Sequence, residues 1–286
     1  MIIPEDAFTQ KTDDLDEKLA GFYMMLIETA LKQKRATPVA KRDASEAIYF
    51  DALEAGDDDQ EFNLLLDAIK TDPCNAAVLL RLKEFFPLTL EEDILATRAV
   101  VAIAEKRLGK KTFKQCAGQF WGFIETRPYM RARCELARLL EEAGMDDEAM
   151  AELEAMITLN TNDNQGFRYL LLPRYMSRSN LDKADWLFSL YPEEDKWCLT
   201  FAWCRVLERL MREDDSGAKK SLAVAREQNG FAEAYILGHR RPPKTLPDRY
   251  ASGSREEAEC FAKEIQNAWS AHPDAIRWLK AQPKTL

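Results

Sequence analysis

The chain has 286 residues, of which 46% are hydrophobic and 31% charged, and only 11 are glycine. This composition, with Ala, Leu and Glu in nearly every segment, favours helices that bury a continuous core over a sheet protein. The formal net charge of −9 argues against a general nucleic-acid binder, because affinity for phosphates requires clustered Lys and Arg. A local basic groove stays open as an alternative.

The start of the chain and its apolar runs predict a soluble protein. Residues 1–16 are acidic and polar without an apolar core, so they do not resemble a secretory signal. No uninterrupted apolar run reaches the ~18 residues that a membrane span requires. The cysteines form no C-x-x-C pair, which disfavours a zinc site and favours free thiols in a reducing compartment. They are Cys74, Cys116, Cys134, Cys198, Cys204 and Cys260. We expect a cytoplasmic protein without a metal or cofactor.

The N-terminal part, residues 14–111, is predicted to form irregular helical repeats after a flexible tail at residues 1–13. Apolar residues at helical spacing from Leu15 predict a first helix that ends near the basic run 32–35. The segment 42–75 then resembles a degenerate two-helix repeat, with Gly56 at its turn.

A longer helix follows this repeat in the sequence. Thr89 with Glu92 three residues later predicts a capping box at its start, and Gly109 predicts its end. The aromatic-rich segment 110–127 predicts a short helix and a joint.

The segment 130–163 carries the most complete repeat pattern in the chain. Gly144 stands at the turn, and Ala149, Leu153 and Ile157 share one face of the second helix. This is the pattern of a tetratricopeptide repeat, a helix hairpin of ~34 residues that buries its apolar faces only by stacking on its neighbours. The prediction is an all-α fold, an α-α superhelix built as a solenoid of antiparallel helix pairs.

Weaker repeats follow from Asn164 and Lys196, so residues 112–286 are predicted to form repeats of this type in one continuous array with the N-terminal part. Pro173 is expected to bend or end its helix, because proline cannot donate the interior hydrogen bond. Ser216 is expected to cap a later helix. Helices opening at Ser254 and Pro273 are expected to cap the array.

Three stretches are more specific than a generic repeat. They are Gly118–Arg133, Asn162–Gly166 and Tyr169–Pro173, and with them the chain resembles the family named for suppression of tumorigenicity seven and its soluble bacterial relatives. The resemblance covers roughly residues 112–282 and implies a helical-repeat fold. It implies no reaction and no catalytic residue. The membrane segments of the animal members have no counterpart here, so no membrane role is implied.

Catalytic motifs are not found in the sequence. A Ser or Cys nucleophile usually needs a His base, and the only histidines, His239 and His272, fall at predicted connections, where we expect them to face solvent. Phosphate-loop, dinucleotide-binding and zinc-protease signatures are also missing. The basic, proline-rich run within the loop 239–250 is interpreted as a crossover connection, although it could also hold an acidic neighbour or RNA.

Binding positions can be predicted from the repeat register. In a tetratricopeptide array, positions 2, 5, 6, 9 and 12 of each repeat face the concave groove. Counted from Met130, Asn164 and Lys196, they hold Arg131, Cys134, Glu135, Arg138 and Glu141, then Gln165, Arg168, Tyr169, Leu172 and Tyr175, then Trp197, Thr200, Phe201, Cys204 and Leu207. Arg, Tyr and Trp often dominate interface energies, so we select six partner-binding residues. They are Arg131, Arg138, Arg168, Tyr169, Tyr175 and Trp197.

The leading hypothesis is a non-enzymatic scaffold or adaptor that binds a protein or peptide with an acidic and an apolar anchor. Some of the six residues could instead be core, and Arg131 could simply pair with Glu135 one turn later. A second hypothesis is an enzyme or small-ligand sensor with a pocket near residues 118–133, where Arg127, Arg131 and Arg133 cluster. A closed, deep pocket with a buried Glu125 would favour it. A third is a structural self-assembly module.

Overall fold

The computed structural model describes residues 6–283, with side chains from Leu15 onward. Fourteen α-helices make up most of this part of the chain. They are α1 (Asp6–Lys32), α2 (Val39–Leu53), α3 (Asp58–Thr71), α4 (Ala76–Leu82), α5 (Leu90–Gln115), α6 (Arg127–Glu142), α7 (Asp146–Leu159), α8 (Arg168–Ser177), α9 (Leu181–Leu190), α10 (Leu199–Met211), α11 (Asp215–Gln228), α12 (Ala232–Ile236), α13 (Arg255–Ser270) and α14 (Pro273–Ala281). Short 3-10 turns follow α4, α5 and α9.

The all-α fold class is confirmed. Residues 6–283 contain no β-strand, and one isolated β-bridge joins Gln119 to Asn160. Neighbouring helices pack as pairs, α2 with α3, α6 with α7, α8 with α9 and α10 with α11. At the α6–α7 turn, Gly144 has a φ of +71°, a left-handed conformation that glycine adopts without steric cost. Paired helices are the arrangement that the repeat pattern predicts.

The helices form two compact units, one up to Asn164 and the other from Gln165. The border predicted between residues 111 and 112 lies inside the first unit, within α5. Of the predicted tail, residues 6–13 belong to α1, and residues 1–5 lie outside the described part of the chain.

The first unit buries one face of each helix. In α6 the buried residues include Met130, Leu136 and Leu140, spaced so that they share one side of the helix. Leu136 and Leu140 pack with Ala149 of α7 in a single cluster, against which Ile94 of α5 also lies. The opposite side of α6 is therefore left for polar residues.

A buried ion-pair network ties α6 to the end of α4. The side chain of Lys83 is almost fully buried, and its ammonium lies 2.8 Å from Asp93 Oδ1 and 2.7 Å from Glu135 Oε1. Arg138 adds a third contact, with its Nη2 2.8 Å from Glu135 Oε1. The network fixes the position of α6 relative to the start of α5.

The second unit is organised around α10, in which most residues are buried. The C-terminal helix α13 packs along both α8 and α10. The rings of Trp203 and Trp269, both fully buried, meet edge to face with centroids 5.9 Å apart. Helix α13, predicted to cap the array, thus packs against the first helices of two pairs.

Two predicted helix starts are confirmed. Thr89 accepts a hydrogen bond from the backbone N–H of Glu92, and the Glu92 carboxylate accepts from the backbone N–H of Thr89, which completes the capping box. Ser254 likewise accepts a hydrogen bond from the backbone N–H of Glu257 at the start of α13.

At Gly109 the backbone leaves the helical conformation, as predicted, and a short helical segment follows it to Gln115, so α5 consists of two segments joined at a kink. Helix α8 continues through Pro173, so the proline does not end it. One local prediction needs correction. The cap of α11 is Asp214 and not Ser216, since the Asp214 carboxylate accepts the hydrogen bond from the backbone N–H of Gly217.

Candidate partner-binding groove

The predicted groove positions on α6 lie away from the core. Of the five, none is buried. Arg138 is paired along its own helix, with Glu135 and with Glu142 at 2.9 Å. Because these pairs are exposed to solvent they add little stability, and they also occupy the guanidinium. Arg131 does not pair with Glu135. It is exposed and makes no hydrogen bond or ion pair with any residue of the described chain.

In the second unit Arg168 and Tyr169 are occupied by contacts within the chain. The guanidinium of Arg168 lies over the rings of Tyr169 and Tyr191, 4.2 Å and 4.9 Å from their centroids, and its Nη2 is 3.1 Å from Glu194 Oε1. The hydroxyl of Tyr169 donates to the same carboxylate. Burial, together with this hydrogen bond to Glu194, raises the pKa of Tyr169.

Tyr175 and Trp197 have opposite environments. Tyr175 is 1% exposed and belongs to the core, whereas Trp197 is 77% exposed. The structure therefore does not bring these two side chains together on one accessible surface. The predicted groove positions of α10 are all buried, and they are Thr200, Phe201, Cys204 and Leu207.

Helix α13 packs along α8 and α10, the helices that were predicted to line the groove. The ring of Phe261 meets Tyr169 edge to face with centroids 6.1 Å apart, and Glu264 lies 3.7 Å from Arg174. His272, expected to face solvent, is half-buried, with its Nε2 2.7 Å from the carbonyl oxygen of Met176. The second unit covers its own groove with its C-terminal helices.

The first unit instead has an accessible cavity of about 340 Å³. Helices α2, α4 and α5 line it together with the chain entering α6. The lining residues include Glu46, Tyr49, Phe50, Leu53, Asn75, Ala76, Ala77, Ala104, Arg107, Leu108, Ile124, Glu125, Arg127, Pro128, Tyr129 and Arg131. Of the six predicted partner-binding residues, only Arg131 lies in this lining.

The rim of the cavity is apolar and exposed. Phe50 and Leu53 follow each other by one helical turn on α2, and both are exposed, as is Ile124 from the opposite wall. Isolated surface hydrophobics need no explanation, but apolar side chains grouped around one opening mark a binding surface.

Ile124 is held in place by a rigid joint. The hydroxyl of the buried Thr126 donates to the carbonyl oxygens of Phe120 and Phe123, which fixes the two short 3-10 turns around Ile124. Phe120 is fully buried, with its ring 6.1 Å from that of Tyr129. The aromatic-rich stretch is thus the anchor of one groove wall.

Three arginines contribute positive charge to the groove. Arg107 is paired with the buried Asp72. Arg127 donates from Nε to the carbonyl oxygen of Trp121 at 3.1 Å and lies over its ring. Arg131 has no such partner in the described chain, so its guanidinium is available to a carboxylate from outside.

Two other ionisable groups define the polarity of the groove. Burial raises the pKa of Tyr49, although the nearby cations Arg131 and Arg81 oppose the shift. Glu125 lines the cavity but is exposed. A closed, deep pocket with a buried Glu125 would have favoured the hypothesis of an enzyme or small-ligand sensor, and Glu125 is exposed here.

Sequence reasoning missed the residues on α2, although the same register rule finds them. Counted from Arg42, positions 5, 9 and 12 hold Glu46, Phe50 and Leu53, and all three line the cavity. The repeat 42–75 is degenerate, which is why its groove positions were not mapped.

Comparison with known proteins gives no match, since no protein-family model, no curated protein and no solved structure matches the chain. The resemblance to the family named for suppression of tumorigenicity seven therefore stays a prediction. No helix within residues 6–283 has the length and apolar character needed to cross a membrane. The same residues contain no group of three or more His, Cys, Asp or Glu side chains placed to hold a metal ion.

Proposed function

We propose that this protein is a non-enzymatic scaffold or adaptor that binds a partner peptide in the groove of its first unit. The peptide presents an aromatic or aliphatic side chain to the cavity and a carboxylate to Arg131. The observation that carries the proposal is the Arg131 guanidinium, unpaired within the described part of the chain, beside a cavity rimmed by Phe50 and Ile124.

The chemistry of the groove suits such a peptide. The apolar rim offers area that a hydrophobic anchor can bury at about 25 cal/mol per Å². An arginine fork binds a carboxylate through two parallel hydrogen bonds, which fixes the register of the peptide. Because Phe50, Leu53 and Ile124 project from a helix and a braced joint, the anchor site is formed before the peptide arrives.

The proposal includes the cytoplasm as the site of action and a helical-repeat protein of the tetratricopeptide type as the class. All six cysteines are free thiols, which fits a reducing compartment. Arg138 extends the same face of α6 two turns beyond Arg131, so it is a secondary contact that must first release Glu135 or Glu142.

A displayed library of random peptides tests the proposal without knowledge of the natural partner. Selection on the full chain should enrich peptides that carry Asp or Glu within a few residues of an aromatic or aliphatic side chain. Binding of an enriched peptide should weaken about tenfold or more, which is about 1.4 kcal/mol, in Arg131→Glu and in Phe50→Ala. Arg277→Glu is the matched control, because it makes the same charge change on an exposed residue of α14.

Three results would contradict the proposal. The library could yield no enrichment, or enriched peptides could bind Arg131→Glu and Arg277→Glu equally well. Alternatively, they could depend on Trp197 and not on Arg131, which would place the binding surface in the second unit. Light scattering that shows mass rising with concentration, and falling in Phe50→Ala, would instead favour self-assembly.

A further inference from the structure

A second cavity in the first unit, of about 260 Å³, has an unusual charge for this acidic protein. It lies between the end of α1, the connection to α2 and the middle of α5. Its lining includes Lys34, Arg35, Arg42, Lys106, Arg107 and Asp72. Five of these side chains are cationic and one is a carboxylate, in a chain whose net charge is −9.

The single carboxylate is already fully engaged. Asp72 is completely buried, and its Oδ1 accepts hydrogen bonds from Thr37 Oγ1 at 2.6 Å and from the backbone N–H of Cys74 at 3.2 Å. Its Oδ2 accepts from Arg107. Asp72 therefore balances one cation and braces the wall, and it leaves the other four without a counter-charge inside the cavity.

The remaining cations contact neutral groups or none. Lys106 Nζ donates to the carbonyl oxygen of Gln33, and Arg42 Nε donates to that of Thr37, both at 2.8 Å. Lys34 and Arg35 are exposed and form no hydrogen bond or ion pair through their side chains with the described residues. A backbone carbonyl orients a cation but does not cancel its charge, so the cavity keeps a concentrated positive potential.

The start of α2, beside this cavity, lacks the capping side chain and the acidic residues that usually balance the positive end of a helix dipole. Its N-cap is Pro38, which offers no side-chain hydrogen bond, and its first turn contains no acidic residue. Lys41 and Arg42 stand there instead, at the end of the helix where the backbone dipole already carries partial positive charge. An anion bound next to Arg42 would relieve this repulsion.

Cations near the C-terminal end of a helix often do no more than donate hydrogen bonds to its last carbonyl groups. Lys106 partly has this role, because it donates to the carbonyl oxygen of Gln33 just after α1. That role does not account for Arg42, which lies at a helix start. It also does not account for the apolar floor of the cavity, formed by the buried side chains of Ala30 and Ile103.

We propose that this cavity is a binding site for a small organic phosphate. A phosphate group carries close to two negative charges and three acceptor oxygens, which matches several Lys and Arg donors lining one cavity better than one carboxylate does. The apolar floor accommodates a short carbon body attached to the phosphate. This site is separate from the peptide groove, although Arg107 lines both cavities.

Titration calorimetry of the full chain at low ionic strength with phenyl phosphate tests the site. Phenyl phosphate should bind with submillimolar affinity, inorganic phosphate more weakly, and phenol not measurably. Arg35→Gln and Lys106→Gln should each weaken binding of phenyl phosphate about fivefold or more. Lys70→Gln, an exposed cation on α3 of the same unit, is the control and should bind as the unaltered chain does.

The proposal is overturned if phenyl phosphate does not bind at millimolar concentration, or if Lys70→Gln weakens binding as much as Arg35→Gln does. It is also overturned if a single-stranded RNA oligonucleotide binds far more tightly than phenyl phosphate and loses its affinity in the same two variants. Equal melting temperatures would show that the variants are folded. Peptide selection on the neighbouring groove is a separate readout, so failure of one proposal can be distinguished from failure of the other.

Discussion

Replacing Lys83 by methionine should destabilise the first unit strongly. Met preserves most of the volume and removes the charge. The change leaves Asp93 and Glu135, whose side chains are only 19% and 28% exposed, without the cation that lies between them. Breaking a buried pair by removing one partner costs about 3–5 kcal/mol. The residual solvation, together with the contact that Glu135 keeps with Arg138, places the expected loss at the low end, about 3 kcal/mol.

The pH dependence of this loss follows from Glu135. Burial, the largest influence, raises the pKa of Glu135, but hydrogen bonds from Arg138 and Lys83 outweigh it, so its pKa lies below the ordinary value. A carboxylate with a lowered pKa in the folded state stabilises the protein above its unfolded pKa, and this stability is lost as the pH falls. The penalty of Lys83→Met should therefore be complete at pH 7 and should shrink below about pH 4.

Scanning calorimetry provides the assay. A loss of about 3 kcal/mol corresponds to a decrease of about 6–12 °C in the melting temperature of a unit of this size. Lys70→Met is the matched control, because Lys70 and its partner Asp67 are both exposed and the pair should contribute under about 1 kcal/mol. The reasoning is refuted if Lys83→Met loses no more than Lys70→Met, or if adding Glu135→Gln to Lys83→Met recovers none of the loss.

Three further predictions concern the second unit. Gly253→Ala should lower the free energy of unfolding of the second unit by about 1–2 kcal/mol. The reason is that φ of Gly253 is +76° and the new Cβ would lie 3.1 Å from the carbonyl oxygen of Gln228. An unchanged denaturant midpoint would contradict this prediction. Trp269→Ala should cost about 3–5 kcal/mol in the same denaturant titration, since it empties the space beside Trp203. Burial raises the pKa of Cys198 to about 11, so only about a thousandth of this thiol is ionised at pH 8. Mass spectrometry should therefore show slow alkylation of Cys198 by iodoacetamide, and the rate should increase as the pH rises. Rapid labelling at pH 8 would contradict this prediction.

The helices with regular repeat punctuation could be predicted from the sequence. In the α6–α7 pair, Gly144 marks the turn and the apolar spacing marks the buried faces, and both signals are local. The capping box at Thr89 is local in the same way. Such features are set by residues within a few positions of each other, so tertiary context does not alter them.

The features that depend on distant contacts could not be predicted in this way. Nothing near Pro173 shows that packing will carry the helix through it. The burial of Phe201 and Trp203 involves Tyr169 and Trp269, which lie dozens of residues away in the sequence. The register rule therefore identified accessible positions on α6. On α10 the same rule identified residues of the core.

One side of the candidate groove is formed by the repeat at residues 42–75. Its sequence departs so far from the repeat pattern that its groove positions could not be assigned from the sequence. Phe50 and Leu53 occupy groove positions of the unit 42–75, but they carry no motif that distinguishes them from core residues. Only the structure shows that they are exposed around an opening shared with Ile124.

Because α13 is covalently joined to the helices that it covers, it competes with any external helix at a fixed local concentration. Tethered segments typically reach an effective concentration of about millimolar. A free peptide making equivalent contacts with α8 and α10 would have to exceed that concentration to exchange with α13. The groove of the first unit imposes no such competition, so at micromolar concentrations a peptide should be found there first.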